Sequence, residues 1–404
     1  MSTTSVTTGP TTSPLAAVRK SLGGDVRQYG IIGALLVIVV LFQVLTDGKI
    51  LLPNNVASLV QQNAYVMILA IGMVMVIVAG HIDLSVGSVV AFVGGVVALL
   101  MKDAGAPWLL AVVLGIALGA VVGAWQGFWV AYVGIPAFIV TLAGMLVFRG
   151  FSIVLVGITV ASLPAPFVAI SNGSVPALLG FMANRDVVTL TLGAVTIVAL
   201  VLGQLRARRE LVKHELRRDP LGAFVGKLVV FSALIGALTW ILAGSKGGTP
   251  WVLVLLGVLI LVYSFVMGRT VFGRHIYAIG GNLNAAILSG VNTRKVNFLI
   301  FVNIGALAGV AAIVTTSRAG AAVAAAGQNY ELDAIAACFI GGTAVTGGIG
   351  RVSGAIVGAL IMGVLNMGLS IMAVSTEWQQ AIKGFVLLLA VAFDLLNKRR
   401  APGR

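Results

Sequence analysis

The stretch 77–89, IVAGHIDLSVGSV, sets His81, Asp83, Ser85 and Ser88 between two long apolar runs. Such groups can cap helix ends in a turn, or they can form a polar site inside a membrane protein. Ionisable residues near membrane depth are costly and are functional candidates by default. Arg149 falls in the middle of an apolar run, and Glu331 and Asp333 stand at the start of another. Asn63, Thr141, Asn303 and Asn366 add amides and a hydroxyl that hydrogen-bond without net charge. Covalent or metal chemistry has no comparable footing. His81, His214 and His275 are scattered without an HExxH spacing, and the lone Cys338 excludes an internal disulfide. No nucleophile–base pair or GxxxxGK[ST] phosphate loop is present. No catalytic residue, metal ligand or resident cofactor is therefore expected in this chain.

The elements that must position these residues follow from composition. Of 404 residues 59% are hydrophobic and 9% charged, with a mean hydropathy of +1.09. Soluble domains carry about 25% charged residues. Lipid is the solvent for most of this chain. The fold class expected is an all-α polytopic membrane protein of 10–12 spans, some short or broken. The twelve candidates are 29–45, 64–80, 86–101, 107–132, 136–157, 187–205, 224–243, 250–267, 296–316, 333–346, 353–373 and 380–396. Residues 1–28 read as a disordered cytoplasmic tail without signal-peptide features, the first span acting as an uncleaved anchor. The membrane domain covers 29–397, and 398–404 form a basic cytoplasmic tail.

Net charge is +14. In a membrane protein this is the ordinary topology signal and calls for no nucleic acid. With the N-terminus inside and spans alternating, 19 of 26 basic residues fall in inner segments and 5 in outer ones. Both termini are expected in the cytoplasm. The basic stretch 206–220 then lies inside, with Glu210 and His214 at helical spacing. The longest outer segment, 158–186, reads as an ordered loop. Span 333–346 is too short to cross plainly, and broken helices are tolerated only where they face protein or a water-filled cavity.

The inner stretch 268–295 is amphipathic. Gly280 and Gly281 are expected to form a sharp turn. Asn282 would N-cap a short helix over 283–289, and Gly290 would end it. In the 77–89 stretch Ser85 would N-cap the third span.

Four stretches carry a specific resemblance: HIDLSVGS (81–88), IPAFIVTLAGMLVFRG (135–150), FGRHIYAIGGN with AAILSGVN (272–292), and ELDAIAACFIGGTAVTGGIG (331–350). In this order they resemble permeases of pentose-type ABC sugar importers. The extra pair of spans and basic loop around 187–246 is similar to the xylose branch of that family. The resemblance implies a homodimeric permease for a monosaccharide, D-xylose foremost, in a bacterial cell membrane. It also implies two partners: an extracytoplasmic sugar-binding protein, and a cytoplasmic ABC ATPase that binds ATP and Mg. The ATPase-coupling residues it implies are Arg274, Gly280, Gly281, Asn282, Asn284, Ala285, Ala286, Ser289 and Gly290. Asn284 stands where relatives tend to carry glutamate. Substrate-pathway candidates are Asn63, Asp83, Ser85, Thr141, Arg149, Asn303 and Asn366. Glu331 and Asp333 are candidates for binding-protein docking or an outer gate. An ion-coupled secondary sugar transporter is the alternative, but its ion relays require acids within spans. The twelve acids here lie almost entirely at loops and span edges.

Overall fold

The computed structural model describes residues 26–216 and 220–400. Most of the 1–28 tail, residues 217–219 of the basic loop and residues 401–404 lie outside the described residues. Among the described residues the chain forms fifteen α-helices and two small pairs of strands. The helices are α1 (Val26–Leu45), α2 (Pro53–Val78), α3 (Val86–Lys102), α4 (Trp108–Phe128), α5 (Ala137–Val156) and α6 (Ala165–Asn172). There follow α7 (Val187–Lys213), α8 (Leu221–Leu242), α9 (Trp251–Arg269), α10 (Val271–Gly281) and α11 (Leu283–Leu288). The last four are α12 (Thr293–Ala319), α13 (Tyr330–Ile340), α14 (Val352–Ile371) and α15 (Thr376–Arg400).

Each of the twelve anticipated spans corresponds to one helix. Among the described residues eight helices are both long and apolar enough to cross a membrane: α2, α4 with its π-helical extension Trp129–Val133, α5, α7, α8, α9, α12 and α14. Three ends differ from expectation. Helix α2 begins at Pro53 rather than 64, because proline suits the first helical turn and the polar residues Asn54, Asn55 and Gln61–Asn63 stay helical. Helix α7 runs on to Lys213, so much of the basic stretch is helical, with His214 and Glu210 3.6 Å apart. The candidate span 333–346 is an 11-residue half-helix, α13, about 16 Å long, followed by turns through the glycines at 341–350.

Helix α2 is the central post, buried along most of its length by α12, α13, α14 and α9. Helices α4 and α12 make the tightest seam. Gly115, Gly119, Gly123 and Gly127 recur every four residues on α4, which keeps them on one face. A Cβ on Gly123 would collide with the Phe301 carbonyl oxygen and lie 3.1 Å from the Gly305 Cα. Without side chains at these positions the backbones touch, which is how helices associate where lipid removes the hydrophobic drive.

The end of the bundle bearing α10 and α11 is called here the lower end, and the opposite one the upper end. The upper segment 158–186 is ordered, as anticipated. Strand β1 (Thr159–Ala161) precedes α6, and β2 (Phe181–Met182) pairs with β3 (Arg185–Asp186) ahead of α7. Strand β1 also pairs antiparallel with β4 (Ala321–Val323), Val160 facing Ala322, which ties the α5 end to the α12–α13 connection.

Candidate functional site

Asp83 belongs to an extended break between α2 and α3, inside the bundle rather than on its surface. It is 2% exposed. Its Oδ1 accepts from the Ser85 backbone N–H at 2.8 Å and from Ser85 Oγ at 2.6 Å. Gln126 Nε2 on α4 donates to Ser85 Oγ at 2.8 Å. Ser85 therefore occupies the N-cap position of α3 without capping it, since its hydroxyl is committed to Asp83. Thr141 Oγ1 on α5 donates to the Ile82 carbonyl at 3.3 Å and steadies the same break.

Above this layer two cavities flank the N-terminus of α13. Glu331 and Asp333 are two residues apart, hence about 200° apart around the helix, and they enter different cavities. One cavity, about 360 Å³, is lined by Tyr65, Gln328, Asn329, Asp333, Gln380 and Lys383 among others. The other, about 350 Å³, is lined by Ser88, Arg149, Gln328, Asn329, Glu331 and Gln380 among others. Gln328, Asn329 and Gln380 line both, so the two adjoin at these residues, and the pair is named the chamber with two lobes.

Each lobe holds one acid and one base. Lys383 on α15 lies 3.2 Å from Asp333 Oδ1. The Tyr65 hydroxyl donates to Asp333 Oδ2 at 2.9 Å, and its ring stacks on Tyr330 with centroids 3.6 Å apart. In the other lobe Arg149 Nη1 donates to the Ala324 and Ala326 carbonyls at 3.2 and 2.5 Å, holding the connection between β4 and α13. Its charge is within electrostatic reach of Glu331, which also senses Asp83. The acids sit in the first turn of α13, where the helix dipole favours negative charge. At 9% and 4% exposed, Glu331 and Asp333 face the chamber and offer little to a macromolecule docking at the surface.

The remaining pathway candidates lie elsewhere. Asn366 Nδ2 on α14 donates to Asn63 Oδ1 at 3.0 Å, and Asn63 Nδ2 donates to the Leu59 carbonyl at 2.9 Å, a polar clamp between α14 and α2. Asn303 accepts from the Tyr263 hydroxyl at 2.5 Å, joining α12 to α9. The structure sets Asp83, Ser85 and Thr141 in one buried polar column beneath Arg149 and Glu331, puts Asp333 in the neighbouring lobe, and leaves these three asparagines in helix seams.

At the lower end Asn282 Oδ1 accepts from the Ala285 N–H at 3.0 Å and caps α11 as anticipated. Gly290 has φ +82°, and two bonds close the helix: Gly290 N–H to the Ile287 carbonyl and Val291 N–H to the Ala286 carbonyl. That pair is a Schellman closure, which needs the left-handed residue glycine supplies. The expected turn at Gly280–Gly281 is absent: both are the last residues of α10, and the chain bends at Asn282. What Gly280 supplies is space, since a Cβ there would overlap the Val78 carbonyl oxygen and lie 2.6 Å from Gly348 N. Gly348 N–H itself donates to the Val78 carbonyl at 2.9 Å, and the Tyr277 hydroxyl donates to the Gly350 carbonyl at 2.6 Å. Helix α10 is thus clamped to the end of α2 and to the loop that follows α13.

Ala286 is 3% exposed and packs inward. Arg274, Asn284, Ala285, Ser289 and Gly290 are exposed around it. The most prominent apolar groups are Leu283, Ile287 and Leu288, the last 89% exposed.

Sequence reasoning missed Gln126, Tyr65, Gln328, Asn329, Gln380 and the partner role of Lys383. A lone amide in a Gly/Ala/Val-rich span and a lysine within a span were the available signals. Among the described residues no three His, Cys, Asp or Glu side chains come together as a metal site.

The family described as branched-chain amino acid transport system / permease component matches residues 55–391. The xylose transport system permease protein XylH of Escherichia coli (strain K12) is 41% identical over 381 residues, 93% of this chain and 94% of that one. Its Haemophilus influenzae (strain Rd) namesake is 39% identical over 376 residues, covering 93% and 98%. The ribose import permease protein RbsC of Escherichia coli (strain K12) is 34% identical over 368 residues, covering 91% and 92%. No solved structure matches the chain. With a family match over most of its length and full-length relatives that are sugar permeases, this chain belongs to that family of membrane-embedded permease components.

Proposed function

We propose that this chain is the transmembrane subunit of an ATP-binding cassette importer that carries a monosaccharide, D-xylose foremost, into a bacterial cytoplasm. The observation that carries the reading is 41% identity to a xylose permease across 93% of the chain. The polar linings of the chamber, above the buried polar column at Asp83, support a path for a hydroxyl-rich cargo. The asymmetry of basic residues supports cytoplasmic termini and a lower end that faces the cytoplasm. There α11 would meet a separate ATPase that binds ATP and Mg, while an extracytoplasmic binding protein delivers sugar to the upper end. A second copy of the chain completes the permease. The chain itself carries out no chemistry.

Reconstitution in proteoliposomes with the partner ATPase and binding protein tests this. Xylose-stimulated ATP hydrolysis and xylose accumulation, both lost when this chain is omitted, are expected. Ribose, arabinose, galactose and leucine serve as competitors, the last because the family description names amino acids. Uptake driven by a proton or sodium gradient without ATPase overturns the proposal.

The lower surface makes a further prediction. Fully burying a leucine is worth about 1.5–3 kcal/mol, and Leu288 has most of its surface available. Leu288→Glu is expected to weaken ATPase association roughly tenfold or more, one decade per 1.4 kcal/mol. Affinity measured in detergent or nanodiscs checks this, and unchanged affinity removes Leu288 from the interface.

A further inference from the structure

Resting on the sugar-importer reading, we infer that the chamber around the α13 N-terminus is a binding site within the permease for one neutral polyhydroxylated ligand, contacted by Asp333, Lys383, Gln328 and Gln380. The two lobes measure about 360 and 350 Å³, at the lower bound of roughly 300–1,000 Å³ for small-molecule sites. A monosaccharide is a small ligand and suits that range.

The charges decide the class of ligand. Asp333 stands against Lys383 in one lobe, and Arg149 within reach of Glu331 in the other. The formal charge of these four groups is zero. An ion would bring unbalanced charge beside groups that already compensate one another, and a zwitterion, though neutral overall, would lose the hydration of two charged groups on entry. A neutral polyol loses only the hydration of its hydroxyls, a smaller cost that protein hydrogen bonds can offset. Lys383 Nζ donates to Asp333 Oδ1 at 3.2 Å and to Oδ2 at 3.4 Å, and the Tyr65 hydroxyl donates to Oδ2 at 2.9 Å. A carboxylate has about four lone-pair sites, so acceptor capacity is left for one hydroxyl. The Gln328 and Gln380 amides offer donors and acceptors where the lobes join. The Tyr65 ring, held by Tyr330, gives a flat wall beside them.

Site-directed labelling tests the inference. In the assembled transporter in nanodiscs, with Cys338→Ala to remove the native thiol, Gln328→Cys and Gln380→Cys are labelled with a small maleimide. Val262→Cys on the exposed side of α9 is the control. At D-xylose about ten times its dissociation constant, mass action predicts roughly tenfold slower labelling at both chamber positions. Leucine should protect neither, and the control rate should not move. The inference is overturned if xylose leaves both rates unchanged, if leucine protects as well as xylose, or if neither cysteine reacts without sugar. Uptake by the Cys338→Ala parent is measured alongside. Intact ATP-driven uptake with unprotected cysteines refutes the chamber alone, whereas absent uptake refutes the importer reading.

Discussion

Gly280→Leu yields a protein that inserts and assembles but no longer links ATP hydrolysis to uptake. The Gly280 Cα faces backbone, the Val78 carbonyl and the Gly348 N–H, and not the pliable end of a side chain. A Cβ there must displace α10 as a unit from the end of α2 and from the loop after α13. That loop leads back through α13 to Glu331 and Asp333, so Gly280 lies on a short mechanical path between the lower surface and the chamber. Membrane insertion depends on the apolar spans, which the substitution leaves intact.

The magnitude follows from the kind of clash. Overpacking costs about 1–3 kcal/mol and more where backbone must move. A coupling loss of about 1–3 kcal/mol corresponds to roughly 5–150-fold. Sugar-stimulated ATP hydrolysis and uptake should both fall by at least tenfold, while basal ATPase activity and size-exclusion behaviour persist. Gly281→Leu, with open space at its Cβ, should retain most of the stimulation. Wild-type uptake by Gly280→Leu would detach α10 from the coupling path.

The fold was legible where hydropathy is the governing physics. Twelve apolar runs became twelve helices, and the shortage of residues in 333–346 already marked a helix that cannot cross. The α11 cap was equally readable, because Asn282 and Gly290 act within one turn of chain. Pro53 shows the opposite case: polar Asn and Gln residues hid eleven residues of helix, because hydropathy responds to side chains while the helix is held by its backbone. Gly280 and Gly281 were read as conformational freedom, whereas the structure uses Gly280 for its missing Cβ. The site was legible as residue types and not as partners. Ser85 and Gln126 are 41 residues apart and Asp333 and Lys383 are 50 apart. Such pairs depend on how neighbouring helices are rotated against each other, which periodicity within one helix does not report. The same limit separates Asn63 and Asn366, which clamp two helices, from Asp83, which joins the polar column.

That rotation is set by seams such as α4–α12, and Gly123→Leu is expected to undo it. At this position the Phe301 carbonyl and the Gly305 Cα leave no room for any side chain. In lipid, close backbone packing supplies much of the association between helices, so separating them removes stabilisation without returning a hydrophobic gain. A penalty of about 1–3 kcal/mol or more changes the folded-to-unfolded ratio by roughly 5–150-fold or more, one decade per 1.4 kcal/mol. The Gly123→Leu protein should show a lowered melting temperature in detergent and a much reduced monodisperse fraction. Gly257→Leu is the matched control, since nothing lies within 4 Å of a Cβ built there. Gln126 lies three residues beyond Gly123 on the same helix and bonds Ser85, so a displaced α4 is expected to disturb that bond as well. Partly folded Gly123→Leu protein should therefore lose xylose uptake more steeply than it loses folded material. Equal melting of the two leucine variants would mean that α4 and α12 are held together by something other than the glycine seam.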